Sequence, residues 1–435
     1  MSRSKMILAL SIWILQTTLQ AQIPKVNGDF LEEIQNIRSQ MPRADSEGFV
    51  KPTTDELASW QKLMAYLIDL QIARADSLVQ LRFPFYDFLQ FKDTGFNDET
   101  YFMLREKFPI TQGWGTVVVN PNFERQLNIE IPHPVFDLNT HREGADIFRR
   151  TGARILLMAG THRCANSELS GCSGTFTGCG GQQYPVSDMA HAVETAFQTA
   201  HETFDQQIEP LTTFSLHGNS RSNCEDIFLS NGSLFQAKAL LLQIKNHLRT
   251  IGNIDAAVAG DGTSSCPLTG STNVQGRFSN GSTLPCTRAA AAVTGRFIHV
   301  EQSRQVRDNF ALYSKLIDAI RANFDSVTAV VKPEPISRNP VPPLPQAIHI
   351  FPNPFKSSTT IHFQVSAGRT SDLKIYNLRG QVVRVLHNSF GHSPGEVQLT
   401  WDGKDEHGRS VPAGVYFVAI VSDKHMTSAK ITLLR

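Results

Sequence analysis

The chain has 435 residues, of which 41% are hydrophobic and 19% charged, and a net charge of +1. The length predicts two or three domains, and the composition is that of a folded soluble protein, which excludes a disordered chain. The near-neutral balance offers no basic face for nucleic acid and no acidic tail.

Taken in chain order, the first segment is MSRSK with Arg3 and Lys5, then an apolar run from Met6 to Leu15, then a polar stretch ending at Ala21. A charged start, a short apolar stretch and a small residue before the cut predict a secretory signal peptide over 1–21. The apolar run is too short for a comfortable permanent span, and no later segment is apolar for long enough to cross a membrane. Residues 22–110 are expected to be mainly helical. The run Asp55–Ala75 carries apolar residues at helical intervals, among them Trp60, Leu63, Met64, Leu67 and Leu70.

From 111 to 330 strands alternate with helices. Strands are expected at Arg125–Ile131, Ala153–Met158, Thr212–Leu216, Ile254–Val258 and Phe297–Val300. Helices are expected at Ala145–Thr151, Asp188–Phe204, Ser233–Thr250 and Val306–Asn323. This alternation predicts an α/β core with a mixed, largely parallel sheet. All six cysteines, Cys164, Cys172, Cys179, Cys224, Cys266 and Cys286, lie in this core. An even count in an exported chain predicts up to three disulfides, with Cys172–Cys179 and Cys266–Cys286 as candidate local pairs. The absence of any Cys-x-x-Cys pair argues against a cysteine zinc site.

Residues 331–347 contain PEPISRNPVPPLPQ, six prolines in fourteen residues, and predict a stiff extended linker. Beyond it, 348–435 is a series of short strand-like runs separated by turn clusters, the pattern of an all-β immunoglobulin-like sandwich. PNPF (352–355), KIYNLRGQVV (374–383), WDGKDEHG (401–408), VPAGVYFV (411–418) and the closing KITLLR (430–435) occur in this tail. In that order they resemble the C-terminal sorting domain of the type IX secretion system. The resemblance implies secretion machinery as a partner, and a secreted or cell-surface location after signal-peptide cleavage and outer-membrane translocation.

Active sites of α/β sheets gather at the carboxyl ends of strands. Three polar motifs follow core strands directly. IEIPHPVFDLNT (129–140) offers His133 and Asp137, suitable metal ligands on a Pro-punctuated loop. TFSLHGNS (213–220) offers His217, with Gly218 behind it. FIHVEQSRQVR (297–307) offers Glu301, followed by Arg304 and Arg307 one turn apart.

Over roughly residues 125–325, these motifs resemble the phage-type poly-γ-glutamate hydrolases and N-formylglutamate amidohydrolases, zinc enzymes related to carboxypeptidases. PHPVFDLNT (132–140) stands where that family has PHGG-x-IE-x-x-T, with Asp137 at the place of the Glu on a loop one residue shorter. Ser215–Gly218 matches SxHG, and Val300–Arg307 matches LE-x-S-x-x-x-R. The resemblance implies a zinc carboxypeptidase/phosphorylase-hydrolase-like fold and one zinc per chain on His133, Asp137 and His217. It further implies Glu301 as the catalytic proton acceptor, and Arg307 with Arg304 as the grip on a substrate carboxylate. Glu143 is the rival acidic ligand, and His141 and His162 are further candidates. The function so implied is a zinc-dependent amidohydrolase or peptidase acting on a peptide or γ-glutamyl substrate next to a carboxylate. A cell-wall amidase and a non-catalytic surface binding protein of degenerate hydrolase fold are the alternatives.

Overall fold

The computed structural model describes residues 23–174, 178–233, 239–327, 349–365, 371–377, 381–387, 395–422 and 425–434. The expected signal peptide and the proline-rich linker lie outside the described residues. The chain divides into two compact units, 1–330 and 331–435.

The first unit runs β1 (Lys25–Gly28), α1 (Phe30–Ser39), α2 (Thr54–Ile68), α3 (Ile72–Arg82), β2 (Tyr86–Asp93), β3 (Thr100–Glu106), β4 (Thr116–Val119), β5 (Arg125–Ile131), α4 (Thr140–Thr151) and β6 (Ala153–Met158). It continues with α5 (Ala196–Gln207), β7 (Thr212–Gly218), β8 (Ile227–Ser230), α6 (Ala239–Thr250), β9 (Ala256–Val258), α7 (Val274–Ser279), β10 (Phe297–Gln302), α8 (Arg304–Asp308) and α9 (Phe310–Asn323). The strands form one ten-stranded sheet in the order β1-β2-β3-β4-β6-β5-β7-β10-β8-β9. Its centre, β6-β5-β7-β10, is parallel throughout, and antiparallel pairs flank it. This is the mixed, largely parallel α/β sheet expected from the alternation.

The segment 22–110 was expected to be mainly helical, and here the structure differs. It holds α1, α2 and α3 but also β1, β2 and β3, which extend the main sheet. The expected single helix over Asp55–Ala75 is two helices. Leu70 adopts a left-handed φ of 54°, and the amides of Leu70 and Gln71 bond back to the carbonyls of Leu67 and Tyr66. That is a Schellman stop with leucine at the position that glycine usually fills, so the sequence carries no stop signal there. In α5, the expected first turns (188–195) are loop. Thr195 caps the true start at Ala196 by accepting from the Gln198 amide. Asn309 ends α8 and caps α9, dividing the expected helix at 306–323.

The two faces of the central strands differ in chemistry. One face of β5, β7 and β10 presents Leu127, Ile129, Ile131, Phe214, Leu216, Ile298 and Val300, which pack with α1, α4, α6 and α9 in one apolar core. Alternate residues point the other way. These are Asn128, Glu130, Thr213, Ser215, His217, His299 and Glu301, all buried. Toward the β2–β4 side the same face is apolar again, where Trp60, Leu63, Val79, Phe197 and Phe204 of α2, α3 and α5 cover it. A buried polar stripe on one side of the sheet is the main departure of this core from ordinary packing.

Three disulfides join Cys164–Cys179, Cys172–Cys286 and Cys224–Cys266. The expected local pairs Cys172–Cys179 and Cys266–Cys286 do not form, because the cysteine-bearing loops fold against each other instead of each closing on itself. The Ser173 amide donating to the Cys286 carbonyl marks that contact.

The second unit is all-β: β11 (His349–Phe351), β12 (Thr359–Val365), β13 (Ser371–Tyr376), β14 (Val382–His387), β15 (Gly395–Trp401), β16 (Gly414–Ser422) and β17 (His425–Leu433). Two antiparallel sheets, β11-β12-β15 and β14-β13-β16-β17, enclose Ile361, Leu373, Ile375, Trp401, Val418 and Ile431. This is the expected immunoglobulin-like sandwich.

The Cys172–Cys286 bridge spans a sequence separation of 114 residues. Replacing both cysteines by serine is expected to lower stability by about 2–4 kcal/mol, since the unfolded chain regains the entropy the bridge removes. Denaturant unfolding of the purified chain measures this; an unchanged midpoint would contradict it.

Candidate metal centre

The polar stripe ends in a cluster at the carboxyl end of the parallel strands. β7 and β10 pair in parallel with Ser215 opposite His299 and His217 opposite Glu301. Residues two apart on a strand share a face, so this register sets four polar side chains in a two-by-two array. β5 pairs on the other side of β7 and delivers His133 just past its end. There the chain makes one helical turn, with the Asp137 amide donating to the His133 carbonyl at 2.9 Å. Residues four apart on such a turn lie side by side. This local turn lets a short aspartate on a short loop meet His133. Thr140 Oγ1 then donates to the Asp137 carbonyl at 2.7 Å and leads into α4.

His133, Asp137 and His217 converge, with one ligand atom of each within 4.8 Å of the others. Asp137 Oδ2 is 3.3 Å from His133 Nδ1 and 3.6 Å from His217 Nδ1. The far nitrogen of each ring has its own partner. His133 Nε2 meets Asp188 Oδ1 at 2.9 Å, and His217 Nε2 meets Ser215 Oγ at 3.2 Å. Asp188 is fully buried; its Oδ2 accepts from Arg163 Nε at 2.9 Å, and its Oδ1 lies 3.0 Å from His191 Nδ1. Imidazoles with one nitrogen toward a shared carboxylate and the other fixed by a hydrogen-bond partner have the arrangement of metal ligands. Two nitrogens and a carboxylate form a donor set that suits zinc.

The electrostatics agree with the geometry. Burial alone would raise Asp137, but His133 and His217 beside it overcome that and hold the carboxyl far below its usual range. Burial pushes His217 down to about 4, which favours the neutral imidazole a metal needs. Glu301 is raised well above the usual carboxylate range, first by burial and then by the charge of Asp137. Its Oε2 is buried with no hydrogen-bond partner among the described residues.

The arginines expected to bind substrate have protein partners of their own. Arg307 does not line the cleft. Its guanidinium packs beneath Gly218 and donates to the carbonyls of Leu138 and Gln302. Arg304 is exposed and paired with Asp308. The rival ligands are also displaced. Glu143 accepts from Gln302 Nε2 on the opposite face of β10 from Glu301, and burial pushes it up to about 8. His141 bonds Gln35 toward α1. His162 accepts from the Cys164 amide and stands against Phe136.

A cleft of about 560 Å³ opens over the cluster. Arg163, Tyr184, Asn219, Arg221, Thr269 and Asn273 are among its walls. Asp188, Arg163, His191 and His299 were not picked out from sequence. His299 had a signal, its period-two spacing from Glu301 in IHVE. Asp188 had none, lying 55 residues from His133 in a segment that reads as helix.

In the C-terminal unit, residues 353–425 match the family of FlgD Ig-like domains. Among solved structures, the chain is similar to PorZ, a surface component of the type IX secretion system of Porphyromonas gingivalis. The likeness has 26% identity and a TM-score of 0.16, over 20% of this chain and 11% of that one. It is similar to dimeric latent PorU of the same organism at 22% identity and a TM-score of 0.17, over 20% of this chain and 9% of that one. The chain thus spans about a tenth of the length of these two proteins. It is also similar to an N-formylglutamate amidohydrolase of Ralstonia eutropha at 13% identity and a TM-score of 0.28, over 48% of this chain and 96% of that one. No curated protein matches the chain.

If the cluster takes up zinc, Asp188→Asn is expected to weaken that binding about 10- to 100-fold by releasing the far side of His133. Competition with a chromogenic chelator would measure it; an unchanged affinity would remove Asp188 from the centre.

Proposed function

We propose that the chain is an exported, zinc-dependent amidohydrolase or peptidase that cleaves an amide next to a carboxylate. One observation carries this reading: two strand-end histidines share Asp137, each with its far nitrogen fixed, beside a buried glutamate in a cleft. His133, Asp137 and His217 would hold the metal. Zinc there would supply Lewis acidity and an acidified water.

The chain's own groups do the rest. Glu301 faces the cleft, and its raised proton affinity suits a group that accepts a proton and returns it to a leaving amine. Asp188 and Arg163 hold His133 in one orientation. Arg221 is a further candidate beside Arg307 and Arg304. It is an exposed guanidinium on the cleft wall, close enough to Glu301 to act on its charge. A guanidinium so placed can grip a substrate carboxylate through two parallel hydrogen bonds. A peptide, a γ-glutamyl polymer or a cell-wall stem peptide presents such a group beside an amide.

The export half of the proposal rests on the two ends of the sequence and on the three disulfides, which suit an oxidising compartment. The tail motifs, within an immunoglobulin-like unit, support a type IX sorting role. Among the described residues no helix is long and apolar enough to cross a membrane.

Glu301→Gln is expected to keep zinc while slowing hydrolysis at least about 100-fold, read as amine release from γ-glutamyl and peptide substrates. Retained hydrolysis would refute the assigned base, and a wild-type chain that takes up no zinc would refute the function. Arg221→Ala is expected to raise KM about 10- to 100-fold for substrates with a free carboxylate, the loss of one charge-assisted contact. The same substrates with that carboxylate amidated should respond little; equal effects on both would refute the assigned contact.

A further inference from the structure

The cluster at the carboxyl end of β7 and β10 contains more ligand atoms than one centre uses. His217, His299 and Glu301 form a second convergent group, again with one ligand atom of each within 4.8 Å of the others. All three are buried. Two of their polar atoms, Glu301 Oε2 and His299 Nδ1, have no hydrogen-bond partner among the described residues. The approach of His299 Nε2 to Glu301 Oε1, at 3.6 Å, is too long for a hydrogen bond. Leaving such atoms buried and unsatisfied costs free energy, and a bound ion is one of the few ways native proteins recover it.

The surroundings hold the group in place. The rings of His217 and His299 lie 4.5 Å apart between centroids. The loop at Gly270 runs directly over the His299 ring; a Cβ at that position would come within 2.7 Å of it. His217 has its two nitrogens on different sides: Nδ1 toward Asp137, and Nε2 toward Ser215, the strand partner of His299.

We infer that His217, His299 and Glu301 form a second, inner cation site for zinc or a similar divalent transition metal. The inner site draws on His217, which as a neutral imidazole ligates one ion at a time, so the two centres compete for it, and the inner site rests on the outer reading for this ligand alone. It does not need His133 or Asp137. Two imidazoles and a carboxylate are a donor set that such ions accept. A cation held there occupies the carboxylate of Glu301, so ligation and proton transfer by this residue exclude each other. Excess metal would therefore act against the reaction that the outer centre serves.

The test uses the full chain purified with the outer ligands removed, as His133→Ala/Asp137→Asn, loaded with zinc alone and desalted. Atomic emission counts the metal, and near-ultraviolet circular dichroism verifies folding. The expected result is about one zinc per chain, falling to none when His299→Gln is added. If the double variant binds none while the wild type carries zinc, the inner site is refuted and the outer centre stands. If the triple variant still retains zinc, the metal is adventitious and the inner site is refuted as well. A wild type without zinc overturns both readings. Should the double variant fail to fold, Asp137→Asn alone, which keeps the side-chain volume, gives the same comparison with and without His299→Gln.

Discussion

The parallel pairing of β7 with β10 is the constraint on which the rest of the centre depends. Its register sets His217 beside Glu301 and Ser215 beside His299 on one face of the sheet. A shift of β10 by one residue would turn His299 and Glu301 into the apolar core and bring Ile298 and Val300 out in their place. The register is held from the other side. Leu216, Ile298 and Val300 are buried against the helices of that layer, so the apolar face fixes where the polar face points. Chemistry on one side of the strands is thus specified by hydrophobic packing on the other.

Charges in the cluster are buried without being left alone. Asp188 is surrounded by Arg163, His133 and His191, and these partners hold it in its charged form despite burial. Asp137 is kept ionised by two imidazoles in the same way. At Glu301, burial and the charge of Asp137 outweigh the arginines around it and push it toward its protonated form. Two carboxylates on one cleft wall therefore differ in character. One suits holding a cation, the other suits moving a proton.

Much of this was legible in the sequence, and the losses have physical reasons. Strand-end polar motifs pointed to His133, Asp137, His217 and Glu301, and these converge in the fold because parallel sheets gather their loops at one end. The placement of Arg307 was less legible. Its spacing from Glu301 is visible, but the direction of its side chain depends on the carbonyl of Leu138, which lies 169 residues away. Asp188 was hidden because residues 188–195 alternate like a helix, yet their polar groups are drawn into tertiary hydrogen bonds. The stop at Leu70 was hidden because leucine gives no warning of a left-handed turn. Disulfide partners escaped for a related reason. Spacing along the chain favours local loops, while the pairing follows which loops meet in the fold.

Gly218 carries a consequence out of proportion to its size. It follows His217, and the Arg307 guanidinium fills the space where a side chain at 218 would stand. That same guanidinium reaches the carbonyl of Leu138, the residue directly after Asp137. One strand end and the metal-loop turn are therefore braced through a cation that fits only because an atom is missing. Even a methyl group at 218 would displace the guanidinium and, with it, the brace to the carbonyl that follows Asp137. The tolerance of the centre to change is set here by an empty volume as much as by any ligand.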